Sequence, residues 1–203
     1  MNNWRSVNWY VLYHSDNPSS YILRQLKKFK KDPQSFIGHP RTLINICTLK
    51  HDVRFLRKYK DYLDWSVISA RQKLSEKTIE EFADYVNWEK IFLNQRVSTK
   101  FLRRHIDKLT EHDWSTIGTF QKLDKQFLRD FKDKVNWGNV CINQTFINER
   151  FFEEKEIKPY IDMNCLTQRC LSEKFIRKHI KEFNKDCWNN ICGFNTLSNG
   201  FID

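Results

Sequence analysis

Eight times along this 203-residue chain, a residue able to cap a helix stands three positions before a bulky apolar pair. The leading residues are Ser19, Asp52, Ser75, Ser98, Asp124, Asn148, Ser172 and Ser198. The pairs are Ile22-Leu23, Phe55-Leu56, Thr78-Ile79, Phe101-Leu102, Phe127-Leu128, Phe151-Phe152, Phe175-Ile176 and Phe201-Ile202, with Thr78 the one departure. Every leading side chain carries an oxygen that can accept from the free N–H groups of a helix's first turn. A column of caps kept through the chain means internal repetition, and internal repetition constrains the fold more than any composition value does.

A second column runs beside the first. Trp65, Trp88, Trp114, Trp137 and Trp188 recur, with Met163 filling the gap, at spacings of 23, 26, 23, 26 and 25 residues. Pro40 holds the corresponding place one unit upstream. The residues just before the anchors are Asp64, Asn87, Asp113, Asn136, Asp162 and Cys187, and all but the cysteine are capping types. Seven positions after the anchors stand Gln72, Gln95, Gln121 and Gln144, then Cys170 and Asn195. Each unit therefore reads as two helices. The first is short, from cap through Trp to an apolar residue three on (Ile68, Ile91, Ile117, Val140, Leu166, Ile191). The second is expected to be longer, with apolar residues at helical spacing, as in Leu123, Phe127, Leu128, Phe131 and Val135. The second helix or its following turn absorbs the length difference between units, about three residues, close to one helical turn.

One such pair cannot bury its own apolar face, whereas stacked neighbours can. The expected fold is all-α: a solenoid-like array of short helix–helix repeats over residues 49–203, preceded by a divergent basic unit and connection over residues 1–48. The tryptophans read as a ladder of core side chains. Each indole N–H needs an acceptor, and the glutamine column is the expected source. The sequence stops at Phe201-Ile202-Asp203, where another second helix should begin. That end is expected either to fray or to be covered by another copy or a different protein.

The chain holds only 5 Gly and 4 Pro, which argues against an all-β sandwich. Its net charge of +10 is uneven: residues 1–64 carry 12 Lys/Arg against 5 Asp/Glu, the remainder 23 against 20. No apolar run approaches the roughly 18 residues needed to span a bilayer, and the first residues show no signal-peptide pattern. Six cysteines without framework spacing suggest free thiols in a reducing compartment.

No nucleophile motif and no glycine-rich phosphate cradle is present. Cys165 and Cys170, like Cys187 and Cys192, are spaced at the edge of what structural zinc sites use. Convergence of these four on a zinc ion is one reading. The other makes Cys141 and Cys192 small core residues, since both stand four after an anchor. His105 and His179 occupy a place held by Phe82 and Phe131 in other units, which reads as core rather than catalytic. His14, His39, His51 and His112 are scattered through turns and show no partner. The Glu80-Glu81 and Glu153-Glu154 pairs fall on polar helix faces and read as solvated. The chain is therefore read as non-enzymatic, with no cofactor, no metal and no small-molecule substrate. The candidate interaction residues are Arg24, Lys27, Lys28, Lys30, Lys31, Arg54, Arg57 and Lys58. On a helix, Arg24, Lys27, Lys28 and Lys31 line one face that can touch a polyanion without reading sequence.

The units LSEKTIEEFADYVNW, LDKQFLRDFKDKVNW and LSEKFIRKHIKEFNKDCW resemble a short repeat common in proteins of large nucleocytoplasmic DNA viruses and some phages. The likeness covers roughly residues 40–203. It implies an all-helical repeat fold and a viral setting, and it transfers no catalytic residues. The expectation that follows is a minor capsid or other virion protein that cements or scaffolds, localised to the virion or otherwise the host cytoplasm. Its expected partners are the major capsid protein or other virion proteins, with an anionic membrane surface as a further possibility. The alternatives are a host-directed interaction adaptor and a basic nucleic-acid-binding repeat protein.

Overall fold

The computed structural model describes residues 20–202, so Ser19 of the cap column and His14 lie outside it. The described residues form helices and turns with no strand. The chain divides into two compact units, residues 1–95 and 96–203. In the first, α1 (Ser20–Lys31) and α2 (Pro40–Thr48) are followed by α3 (Val53–Tyr59), α4 (Trp65–Arg71), α5 (Glu76–Glu81) and α6 (Trp88–Asn94). The second contains α7 (Thr99–Arg104), α8 (Glu111–Phe120), α9 (Lys125–Asp130), α10 (Trp137–Asn143), α11 (Glu149–Phe152), α12 (Met163–Leu166), α13 (Glu173–His179), α14 (Lys185–Phe194) and α15 (Asn199–Ile202). In each unit the anchor helices, which begin at or contain Pro40, Met163 or a column tryptophan, pack in sequence order, α2 on α4 on α6, and α8 on α10 on α12 on α14. This is the all-α, solenoid-like array of repeats that the two columns predict.

The caps form as expected. Asp52, Ser75, Ser98, Asp124, Asn148 and Ser172 each accept the backbone N–H of the residue three on. Asp64, Asn87 and Asn136 do the same for the Trp helices. Asp113 departs from expectation. The cap of α8 is Thr110, and Asp113 closes a capping box with it from inside the helix. Likewise Asn184, not Cys187, caps α14. In both places the Trp helix gains a turn at its start, so the cap moves back by three residues.

The second helices are shorter than the apolar spacing suggests. α9 spans Lys125–Asp130 and leaves Leu123 before its cap and Val135 beyond its end. The helix stops at one repeated position, occupied by Phe82, His105 and Phe131, with φ of −111° to −119° and ψ of 27° to 30°. Tyr59 and His179 hold nearly the same angles. This sparsely populated region is open to residues with a Cβ. The chain thus reverses without any positive-φ residue among those described, which is how so few glycines suffice.

The core is built from the anticipated columns. Ile68, Ile91, Ile117, Val140, Leu166 and Ile191 are all at most 1% exposed. Trp65, Trp114 and Trp137 are buried, while Trp88 and Trp188 are half-buried. Each buried indole meets the aromatics of the following second helix, as Trp65 meets Phe82 at 4.7 Å and Trp114 meets Phe131 at 5.3 Å. The glutamines do not serve the indoles. Trp65, Trp88 and Trp137 donate to backbone oxygens five residues back, those of Lys60, Ala83 and Lys132.

The buried glutamines instead join one repeat's backbone to the next. Gln95 donates to the carbonyls of Ser69 (2.8 Å) and Gln72 (2.7 Å) and accepts the Leu74 N–H (3.0 Å). Gln144 makes the same three bonds to Gly118, Gln121 and Leu123. Where the column lapses, Arg169 reaches back to the carbonyls of Gln144, Thr145 and Ile147.

Candidate functional site

α1 has no acidic residue, and its last turn carries Lys28, Lys30 and Lys31 beside the negative end of the helix dipole. Ile22 and Phe29 are buried on one side. Phe29 sits among Phe36, Phe55 and Tyr59, with ring centroids 5.2–6.2 Å away. The Tyr59 hydroxyl donates to the Lys30 carbonyl, which ties the end of α1 to α3. Leu23, the second member of the apolar pair Ile22-Leu23, points outward at 44% exposure.

All eight candidate residues are exposed and belong to one compact unit. Lys30 Nζ lies 5.7 Å from the Phe55 ring centre and Lys58 Nζ 5.3 Å from that of Tyr59. The two rings are 4.7 Å apart, so both ammonium groups border one aromatic pair. Among the described residues, Arg24, Lys27, Lys28, Lys31, Arg54 and Lys58 have no acidic partner. Arg57 does not belong with them. Its guanidinium makes a two-pronged pair with Glu81, one bond being 2.7 Å, and that pairing raises the Arg57 pKa and lowers that of Glu81.

The Arg57–Glu81 pair is one rung of a ladder between consecutive repeats. Arg103 pairs with Asp130, and Arg129 pairs with Glu154 at 2.8 Å. Lys178 and His179 both reach Glu153. The carboxylate pairs at 80–81 and 153–154 are therefore not simply solvated, because Glu81, Glu153 and Glu154 are bound across repeats. A further column escaped the sequence reading. From Ser98 to Ser172, the residue after each cap meets the next cap: Thr99 meets Asp124, Lys125 meets Asn148, Glu149 meets Ser172 and Glu173 meets Ser198. The chemistry tracks the partner, a carboxylate facing a serine and a donor facing Asp or Asn. That covariation within the chain is the signal that identifies it.

Of the histidines and cysteines, His51, His179, Cys47 and Cys141 are packed against neighbours. His51 is not without a partner: its Nε2 lies 2.7 Å from the Ile46 carbonyl, its ring stacks on Phe55 at 3.8 Å, and burial lowers its pKa. His179 is buried, with Nδ1 and Nε2 each 2.9 Å from a carboxylate oxygen, of Glu182 and Glu153. Cys47 and Cys141 are buried, and burial pushes both thiols up to about 12. Cys192 is exposed rather than a core residue; it lies on α14, the last of the packed anchor helices among the described residues. No three metal-ligating side chains are grouped among the described residues. No helix among them is long and apolar enough to cross a membrane.

No protein-family model, no curated protein and no solved structure matches this chain.

Proposed function

We propose that this chain is a non-enzymatic structural adaptor, a minor component of a viral particle that joins larger parts through protein surfaces. In this reading the stitched repeats set a fixed separation, and the basic face of α1 and α3 meets an anionic partner. One observation carries the reading. Five cations of the later repeats, Arg103, Arg129, Lys132, Lys158 and Lys178, are matched by carboxylates one repeat away, whereas none of those of α1, nor Arg54 and Lys58, is matched among the described residues. An exposed charge without a local counter-charge stays hydrated in water, although like charges four residues apart on a helix repel weakly. Against a complementary surface it guides encounter and fixes orientation. The viral setting rests on the resemblance of the repeat units alone.

The test is mass spectrometry with lysine crosslinking on purified particles of the virus that encodes the chain. The expected result is a stoichiometric presence, with crosslinks from Lys27, Lys28, Lys30 or Lys31 to a capsid or membrane component. Absence from particles together with abundance in infected-cell cytosol would replace the virion role by that of a host-directed adaptor.

A further inference from the structure

Taking as its basis the proposal that the basic face meets an anionic partner, we infer that the partner is the surface of an anionic lipid bilayer. The face is not purely cationic. Leu23 is 44% exposed, and its helical position falls between those of Lys27 and Lys30. Ile37, in the turn between α1 and α2, is 69% exposed, the highest value among the large apolar residues left uncovered in the described part of the chain. Exposed aliphatic side chains on, and in the turn after, a helix that carries unpaired lysines are what an interfacial element needs. The aliphatics enter the acyl boundary, while lysine stems lie along it and keep their charges at the headgroups.

The same residues fit the other polyanions less well. Single-stranded nucleic acid is held by stacking on exposed aromatic rings. Here Phe29, Phe36 and Tyr59 are buried, and Phe55 stacks on His51 with Lys30 above it. Duplex phosphates would engage the cations and leave Leu23 and Ile37 in water. A cavity of about 320 Å³ opens beside the turn that carries Ile37, lined by Tyr21, His39, Arg41, Thr42 and Asn45 among others. Arg41 is exposed and has no acidic partner among the described residues, so the charge there suits a phosphate-bearing headgroup. The contact is peripheral, with α1 lying in the plane of the interface.

The experiment is flotation of the full chain with vesicles of phosphatidylcholine alone, and of phosphatidylcholine with phosphatidylserine. Binding is expected only to the second kind and should fall at about 0.5 M salt, where screening is nearly complete. The triple variant Lys27→Gln, Lys28→Gln, Lys31→Gln should lower the partition coefficient by about a hundredfold. The double variant Leu23→Ser, Ile37→Ser keeps every charge and should lower it by about tenfold or more. All substituted positions are exposed, so far-ultraviolet circular dichroism should match the parent. Unchanged binding by the Leu23/Ile37 variant would overturn the lipid inference. So would failure on phosphatidylserine vesicles with retention on heparin, which would leave the anionic-partner reading standing. Loss on both vesicles and heparin would overturn both.

Discussion

Gln95 is buried, and its amide satisfies two carbonyls and one N–H of the preceding repeat. Removing it strands backbone groups that water cannot reach. Each such group costs about 1–3 kcal/mol, so Gln95→Ala should destabilise the protein by about 3 kcal/mol or more in urea unfolding. Gln95→Glu separates hydrogen bonding from shape. At neutral pH the carboxylate still accepts the Leu74 N–H but points an oxygen at two carbonyls. Protonation restores one donor, so this variant should lose less stability, relative to the parent, near pH 4 than near pH 7. The position of these glutamines was legible in the sequence, but their partners were not. Backbone carbonyls on a neighbouring repeat carry no side-chain signature, so the indoles looked like the nearest groups in need. The indoles find their acceptors within their own loops, as Trp137 does at the Lys132 carbonyl. Trp137 is 7% exposed, and Trp137→Ala should cost about 3–5 kcal/mol.

Two glycines separate what a helix prefers from what a repeat interface permits. Gly118 lies in α8 against α10, and a Cβ there would meet Val140 Cγ2 at 3.1 Å and the Val140 backbone nitrogen at 3.3 Å. Gly193, near the end of α14, has nothing within 4 Å of that position. Helix propensity favours alanine at both by up to about 1 kcal/mol. Gly193→Ala should therefore raise the melting temperature. Gly118→Ala should lower it, since parting two packed helices costs about 1–3 kcal/mol and a backbone atom cannot rotate away. The caps of these elements were readable because capping is local chemistry. The ends of the second helices were not, because Phe131 and Val135 continue the apolar spacing after the backbone has turned at Phe131. The basic face was legible as a run of lysines. Its limits were not, since the loss of Arg57 to Glu81 depends on which residues lie one repeat away.

Stability in such an array is a sum of repeats and of the joints between neighbours, so the joints decide how the molecule answers to pH and to damage. One joint in the second compact unit is ionic. Lys178 and His179 hold Glu153, and His179 also holds Glu182, and these contacts lower both carboxylate pKa values. A carboxylate with a depressed folded pKa contributes stability above its unfolded value and loses it as pH falls through the folded one. The parent should therefore weaken on acidification below about pH 4.5. His179→Phe places at this joint the residue that Phe82 and Phe131 supply elsewhere. With the imidazole gone, Glu153 keeps Lys178 alone and Glu182 keeps Lys158 alone, so both pKa values should move back toward the ordinary range. The slope of unfolding free energy against pH, measured by urea titration through that acid range, should then be shallower than in the parent. The Arg129–Glu154 joint is untouched by the change and should keep its share of the slope. Equal slopes for parent and variant would mean that the histidine contributes packing and no charge coupling, despite both its nitrogens lying 2.9 Å from carboxylate oxygens.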